Sequence, residues 1–351
     1  MDFGINFFPS IGPAVKQASE YFAEALTLAS LGDELGYEHI RTVEHHLNPY
    51  GGYSPNPMVF LSAVARRTRR LRLVTGAVLP IFNSPLKLAG EIGMLDAISR
   101  GRLELGFARA FLPHEFKAFN RRLDESHARF TEAVEQIRHL LSEEDVSSDG
   151  QFHVFRNVTS LPRPTQQPHP PIWIAAFASP ESFEEAGRGG FYLMGILING
   201  PKMAELMGIY REAWKSAGHP GEGRLMLSFA MYCALSSEEA SSIAEPALNG
   251  YLAALVNAAS AWTEGVVSAD YPGYDKMIAR LKQEDFRTQR EQGIAWVGTP
   301  GEISDMITDY QDKVGRFESA SMQVNFYDLP FDNAAASMRL FAEQVMPKFR
   351  D

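Results

Sequence analysis

The chain has 351 residues, 45% hydrophobic and 22% charged, with 43 Asp and Glu against 33 Lys and Arg. That composition supplies a large core and excludes wholesale disorder. The formal net charge of −10 argues against nucleic-acid or anionic-membrane partners, which need a basic footprint. One cysteine, Cys233, excludes an intrachain disulfide and any thiolate-built zinc or iron–sulfur centre. Such sparing thiol use fits a reducing compartment, so a cytoplasmic protein is expected. Residues 1–6 lack a basic n-region and a long apolar stretch, so no signal peptide is expected. No apolar run reaches the ~18–20 residues of a membrane span.

Short apolar runs alternate with longer amphipathic ones. Residues 3–8 predict a strand. Residues 20–35 carry Phe22, Ala25, Leu26, Ala29 and Leu35 at helical spacing, with Gly36 as the stop. A strand is expected at 39–43, a helix at 57–69 opened by Pro57, a strand at 71–79 and a helix at 85–99. A strand at 102–108 and a long helix at 125–142 follow. Residues 147–171 break the rhythm with Gly150, several aromatics and five prolines from 162 to 171. They read as a surface excursion with a small hairpin. Strands at 172–176, 191–197 and 225–235 then alternate with helices from Pro180, at 201–217 and at 237–261. Residues 263–292 are polar and lack clean periodicity, and a stretch of that length is usually functional or mobile. The chain ends as helix 300–314, strand 319–326 and helix 333–349.

Eight strands alternating with about eight helices predict a parallel sheet, and eight units favour a closed (β/α)8 TIM barrel. The expectation is one domain over 1–351, with an excursion before the fifth strand and a long insertion at 263–292 before the last helix–strand–helix. Neither Gly-x-Gly-x-x-Gly after the first strand nor a P-loop is present.

Barrel active sites lie past the C-terminal ends of the strands. Those positions here are mostly aromatic or apolar: Phe7 and Phe8, Ile81 and Phe82, Phe111, Phe177, Ile198, Tyr327. They suit a flat hydrophobic ligand with one anionic end. Glu44-His45-His46 is a poor metal site, because adjacent residues of an extended segment face opposite ways. One histidine is better read as an acid/base, the alternative being two structural imidazoles. Arg109 is either an anion clamp or a salt-bridge partner. Ser179 and Pro180 open a helix, and its free N–H groups suit an anion, though plain capping explains them too. Thr75, Gly76 and Ala77 allow close backbone approach to a planar ligand or tight packing.

With these residues in place, the chain resembles the bacterial luciferase-like family of flavin-dependent monooxygenases. The resemblance runs through Glu44-His45-His46 with Asn56-Pro57, then 76–80, 95–102, 106–109, 297–300 and Val345-Met346-Pro347. Phe116 and Phe119 after Arg109 are similar to the luciferase α-type branch. The resemblance implies FMN, bound reduced as FMNH2 at the barrel mouth and supplied by a separate flavin reductase. It implies that O2 then gives a C4a-(hydro)peroxyflavin that oxygenates a small hydrophobic organic substrate, by Baeyer–Villiger chemistry, aldehyde oxidation or hydroxylation. His45 is then the acid/base. Glu44, Thr75, Gly76, Ala77, Arg109, Phe177, Ala178 and Ser179 are then cofactor-binding, with Arg109 and 177–179 at the phosphate. A non-prolyl cis peptide is implied at Thr75-Gly76 or Gly76-Ala77, a mobile lid at 263–292, and a homodimer through helices 57–69 and 85–99, where Gly90 and Gly93 permit close packing. The alternatives are F420-dependent hydride transfer and a non-catalytic flavin-binding subunit of a hetero-oligomer. The chain departs from luciferases at Ala108, where they carry a reactive cysteine, and at Ala176 and Phe177, where their phosphate site offers carboxylate and hydroxyl groups.

Overall fold

Eight parallel strands close on themselves in the computed structural model, which describes residues 1–177, 179–196 and 200–350. They are β1 (Asp2–Phe7), β2 (His39–Thr42), β3 (Arg72–Thr75), β4 (Leu103–Phe107), β5 (Ile172–Ala176), β6 (Tyr192–Gly195), β7 (Leu225–Cys233) and β8 (Ser319–Gln323). Each pairs in parallel with the next, and β8 returns to β1 through Asp2↔Ser319 to Asn6↔Gln323. The expected TIM barrel is present. Among the described residues, no helix is long and apolar enough to cross a membrane.

Local chemistry sets the helix ends. Asn56 accepts a hydrogen bond from the Met58 N–H, with Pro57 as the first residue of helix Pro57–Arg67. Thr299 and Glu302 form a reciprocal capping box on helix Pro300–Val314. Gly36 ends helix Ala18–Leu35 at φ 82°, a left-handed conformation that glycine adopts without penalty. The main core lies between the strands and the surrounding helices, while Val74, Trp173, Met194 and Met226 pack separately inside the barrel. At the barrel's lower end, Arg72 pairs with Glu104 (2.6 Å) and Asp2 (2.8 Å), and Arg224 reaches the same two carboxylates.

Three features depart from the sequence reading. A ninth strand, Ala295–Gly298, pairs with Ala230–Cys233 of β7. β7 is nine residues long, and its pairing with β8 ends at Ala230, so its far end takes a second partner. Residues 263–292 are not irregular throughout: they hold helices Tyr274–Leu281 and Phe286–Glu291. The space beside Gly93 is filled from within its own chain. A Cβ on Gly93 would lie 2.0 Å from the Pro162 carbonyl oxygen, and one on Gly90 3.4 Å from that of Leu161. Gly93 thus admits the excursion of its own chain, whose hairpin pairs Val146–Asp149 with Val154–Val158, whereas a side chain at Gly90 would make only an ordinary contact there.

Candidate active site

The loops after β1 to β4 converge at one end of the barrel. Gly76 donates its N–H to the Thr42 carbonyl (2.7 Å), and the Glu44 N–H donates to the Ala77 carbonyl (3.0 Å). The Gly76–Ala77 peptide between these anchors is cis. Gly76 cannot carry a side chain, because a Cβ there would meet the Arg41 stem at 2.1 Å. Thr75 is turned away from the mouth. Its hydroxyl donates to the Gly106 carbonyl (2.9 Å) and accepts from the Gly106 N–H (2.7 Å), which splices β3 to β4.

Glu44 is buried, and its carboxylate is taken up by the protein. It accepts from the Leu79 N–H (2.8 Å) and the Asn83 amide (3.1 Å), and it meets His46 Nε2 at 3.0 Å. Its side chain thus fixes the loop after β3, and only its backbone remains for a ligand.

His45 is differently placed. Its Nδ1 lies 3.1 Å from Glu115 Oε1, on a carboxylate with no solvent exposure. The same oxygen accepts the His46 N–H at 2.8 Å. A carboxylate at Nδ1 places the ring proton there and leaves Nε2 as the working nitrogen. Nε2 makes no hydrogen bond among the described residues. Phe8, Tyr50 and Phe111 surround the imidazole at centroid distances of 5.5, 5.2 and 6.1 Å. The backbone is strained near both His45 and Arg109: Leu47, two positions after His45, and Ala110, next after Arg109, have φ of 61°. Each such conformation costs about 1–2 kcal/mol and persists where the surroundings impose it.

Residues 259–281 cover this end of the barrel. Trp262, Tyr271 and Ile278 join Phe8, Tyr50, Leu79 and Phe116 in one apolar cluster. Trp262 Nε1 donates to the Phe111 carbonyl (2.8 Å), and the Tyr271 hydroxyl to that of Ala110 (2.9 Å). The Asp270 carboxylate accepts from Ser126 Oγ and the His127 N–H at the start of helix Ser126–Ser142. Arg109 is engaged by the same segment. It donates to the Asp270 carbonyl (2.8 Å) and lies 4.6 Å over the Tyr271 ring.

At the expected phosphate cradle, Phe177 is half-buried and Ser179 caps helix Pro180–Arg188 by accepting the Ser182 N–H (3.3 Å). The Ser179 hydroxyl donates to Glu181, which holds that exposed carboxyl below its ordinary value. A carboxylate beside the first turn opposes an anion there, a feature absent from the sequence reading. Ala178, Ile198 and Asn199 lie outside the described residues. The structure therefore gathers His45, Glu44, Gly76 and Ala77 around one mouth, and gives Arg109 to the covering segment. It adds Glu115, 70 residues from His45, which sequence reasoning missed. The available signal was one acidic residue inside the aromatic-rich segment 111–119.

The model of the luciferase-like monooxygenase family matches residues 1–316. The oxygenase component of flavin-dependent trigonelline monooxygenase from Acinetobacter baylyi is 29% identical over 95% of this chain and 91% of its own. The crystal structure of monooxygenase RslO1 from Streptomyces bottropensis is 44% identical over the whole of both chains, with a TM-score of 0.89. Two more distant structures share the fold. They are the oxygenating constituent of 3,6-diketocamphane monooxygenase from Pseudomonas putida, in complex with FMN (21%, TM-score 0.84, covering 100% and 99% of the two chains), and an F420-dependent secondary alcohol dehydrogenase (16%, TM-score 0.77, likewise 100% and 99%). The architecture, the histidine–carboxylate pair at the barrel mouth and these matches lead to one statement: the chain belongs to the luciferase-like monooxygenase family, among flavin-dependent oxidoreductases.

Proposed function

We propose that this chain is the oxygenase of a two-component system, which takes reduced FMN from a separate flavin reductase and uses O2 to oxygenate a hydrophobic organic substrate. The observation that carries the reading is His45, held by the buried Glu115 with Nε2 unbonded, on the loop that hydrogen-bonds the Gly76–Ala77 segment. Bound reduced flavin would supply the electrons that activate O2. The residues fit such a group: a cis strip of glycine and alanine backbone at the mouth, aromatic walls, and one guanidinium at the rim.

The roles of the residues follow from that arrangement. Gly76 and Ala77 form the surface against the ring, and Glu44 and Thr75 hold that surface in place. His45 Nε2 accepts or returns the proton during oxygen transfer. Arg109 binds the phosphate, aided by backbone at 177–179, and must exchange its bond to the Asp270 carbonyl to do so. Residues 263–292 act as a lid that opens for ligand and excludes water when shut. The exposed apolar residues Val59, Leu86, Met94 and Ile98 on the second and third barrel helices form a homodimer face.

The test is anaerobic titration with photoreduced FMN and, in parallel, reduced F420, followed by rapid mixing with oxygenated buffer under absorbance detection. Binding of reduced FMN, with reoxidation at a rate unlike that of free flavin, is expected. Binding of reduced F420 alone, insensitive to O2, would overturn the oxygenase reading in favour of hydride transfer.

A further inference from the structure

The barrel interior holds one cation too many. At its lower end, two carboxylates, Asp2 and Glu104, face two guanidiniums, Arg72 and Arg224. Above them on β2 lies Arg41, 6% exposed, with no carboxylate within ion-pair distance among the described residues. Its Nε donates to Asn6 Oδ1 (3.3 Å), and its Nη2 reaches across the barrel to Ser228 Oγ (2.8 Å) on β7. Its Nη1 finds only the Met226 sulfur, at 3.9 Å. His39, next below on β2, offers no negative charge. Burial, then Arg72, Arg41 and Arg224, push it well below its ordinary value and keep it neutral. A buried guanidinium with only neutral partners is costly, since its desolvation is not repaid by an opposite charge.

Exposure shows what the cation faces. Inward residues of one strand are two positions apart. On β5, Trp173 is sealed, while Ala175, one step nearer the mouth, is partly exposed. On β7, Met226 is sealed and Ser228 is partly exposed. The mouth thus opens into a well that ends at the level of Ser228 and Arg41. Gln323 on β8 borders the same end, and its Oε1 has no hydrogen-bond partner. The Arg41 stem lies directly under Gly76.

We infer that Arg41 is a ligand-binding residue: its guanidinium forms the floor of the well and takes the ionised oxygen or nitrogen of a conjugated ring. This rests on the flavin reading above. The charge has two sources of the same chemistry. One is the ionised pyrimidine edge of the reduced flavin, stacked on Gly76–Ala77. The other is a carboxylate, phenolate or enolate of the organic substrate. The planar fork of arginine suits either.

The experiment compares wild type with Arg41→Met, which fills the same volume without charge, and with Arg41→Gln, which keeps a hydrogen-bonding head for Asn6 and Ser228. Should methionine prevent folding, the glutamine variant gives the same reading. Three quantities are measured: melting temperature, anaerobic affinity for photoreduced FMN, and affinity for benzoate against its neutral counterpart benzamide. The inference expects a melting temperature at or above wild type, because an uncompensated buried charge has gone. A loss of tenfold or more in reduced-FMN affinity assigns the charge to the flavin. The same loss for benzoate, with benzamide unaffected, assigns it to the substrate. Unchanged affinity for both overturns the inference, and a fall in melting temperature with unchanged affinities leaves Arg41 as a framework residue. If wild type binds no reduced FMN, the oxygenase reading fails, while the benzoate arm still decides the role of Arg41.

Discussion

Glu115 offers the sharpest test of how the mouth is built. Its Oε1 serves two buried donors, His45 Nδ1 and the His46 N–H, and its Oε2 has none. Glu115→Ala strands both donors, at about 1–3 kcal/mol each. Removing a carboxylate with an unpartnered oxygen returns part of that, leaving a net loss of about 3 kcal/mol, near the range for breaking a buried pair. Glu115→Gln keeps an acceptor at the Oε1 position and loses charge assistance alone, which is about 1 kcal/mol. Urea unfolding at neutral pH should therefore rank wild type above Gln above Ala. The functional effect should be separable from stability. Glutamine retains the shape of the site, so reduced FMN should bind as in wild type. Oxygen-dependent reoxidation of the bound flavin should slow by roughly 10–100-fold, the usual loss when a residue that orients a working histidine is altered. Rapid-mixing absorbance on the preloaded protein reads that rate directly. Wild-type reoxidation in a folded Glu115→Gln protein, alongside a slowed His45→Ala, would refute the positioning role and leave Glu115 as a framework residue.

Other perturbations address separate parts of the molecule. His45→Ala should slow turnover and leave flavin affinity nearly intact, whereas Arg109→Ala should weaken binding of reduced FMN; equal affinity of Arg109→Ala and wild type in anaerobic titration removes the phosphate role. Asp33 supplies a pH test: burial works to raise its carboxyl, but N–H bonds from Leu71, Arg70 and Arg69 outweigh it and hold the group below 3.8. A depressed carboxyl stabilises the fold above its unfolded value and loses that contribution as pH falls through the folded one. Asp33→Asn should thus be less stable than wild type at pH 7, with the gap in urea midpoints closing as the pH falls below the ordinary carboxylate value; a constant gap contradicts the assignment. Sedimentation velocity at micromolar concentration should show a dimer that Met94→Glu dissociates, and a wild-type monomer would count against the exposed face of helix Pro85–Ser99 as its seat.

The barrel was legible in the sequence because its signal is repetitive. Most strands lie in short apolar-rich runs and the helices in longer amphipathic ones, so an error in one boundary leaves the count intact. Strand Ala295–Gly298 escaped for the opposite reason. It is four residues long, it follows a polar stretch, and it exists because β7 outruns its pairing with β8. Gly90 and Gly93 were legible as positions of close approach, but small residues do not say what approaches them. Here it is the carbonyls of Leu161 and Pro162.

The site divides along the same line. His45 and Arg109 could be found because they follow strands, and a barrel presents such residues at its mouth. What those side chains do there depends on partners that sequence distance conceals. Glu44 looks like a ligand-facing carboxylate until the fold brings Leu79 and Asn83 to it. Arg41 sits in a four-residue strand, His-Ile-Arg-Thr, whose residues are all buried, so exposure does not mark which of them face the barrel axis. Only closure of the sheet separates the two faces, sending Ile40 into the shell beneath the helices and Arg41 across the axis to Ser228. A charged side chain inside a short, fully buried strand is the trace that remains. In a parallel barrel such a residue has no solvent to return to, and its partner must come from the opposite wall or through the mouth.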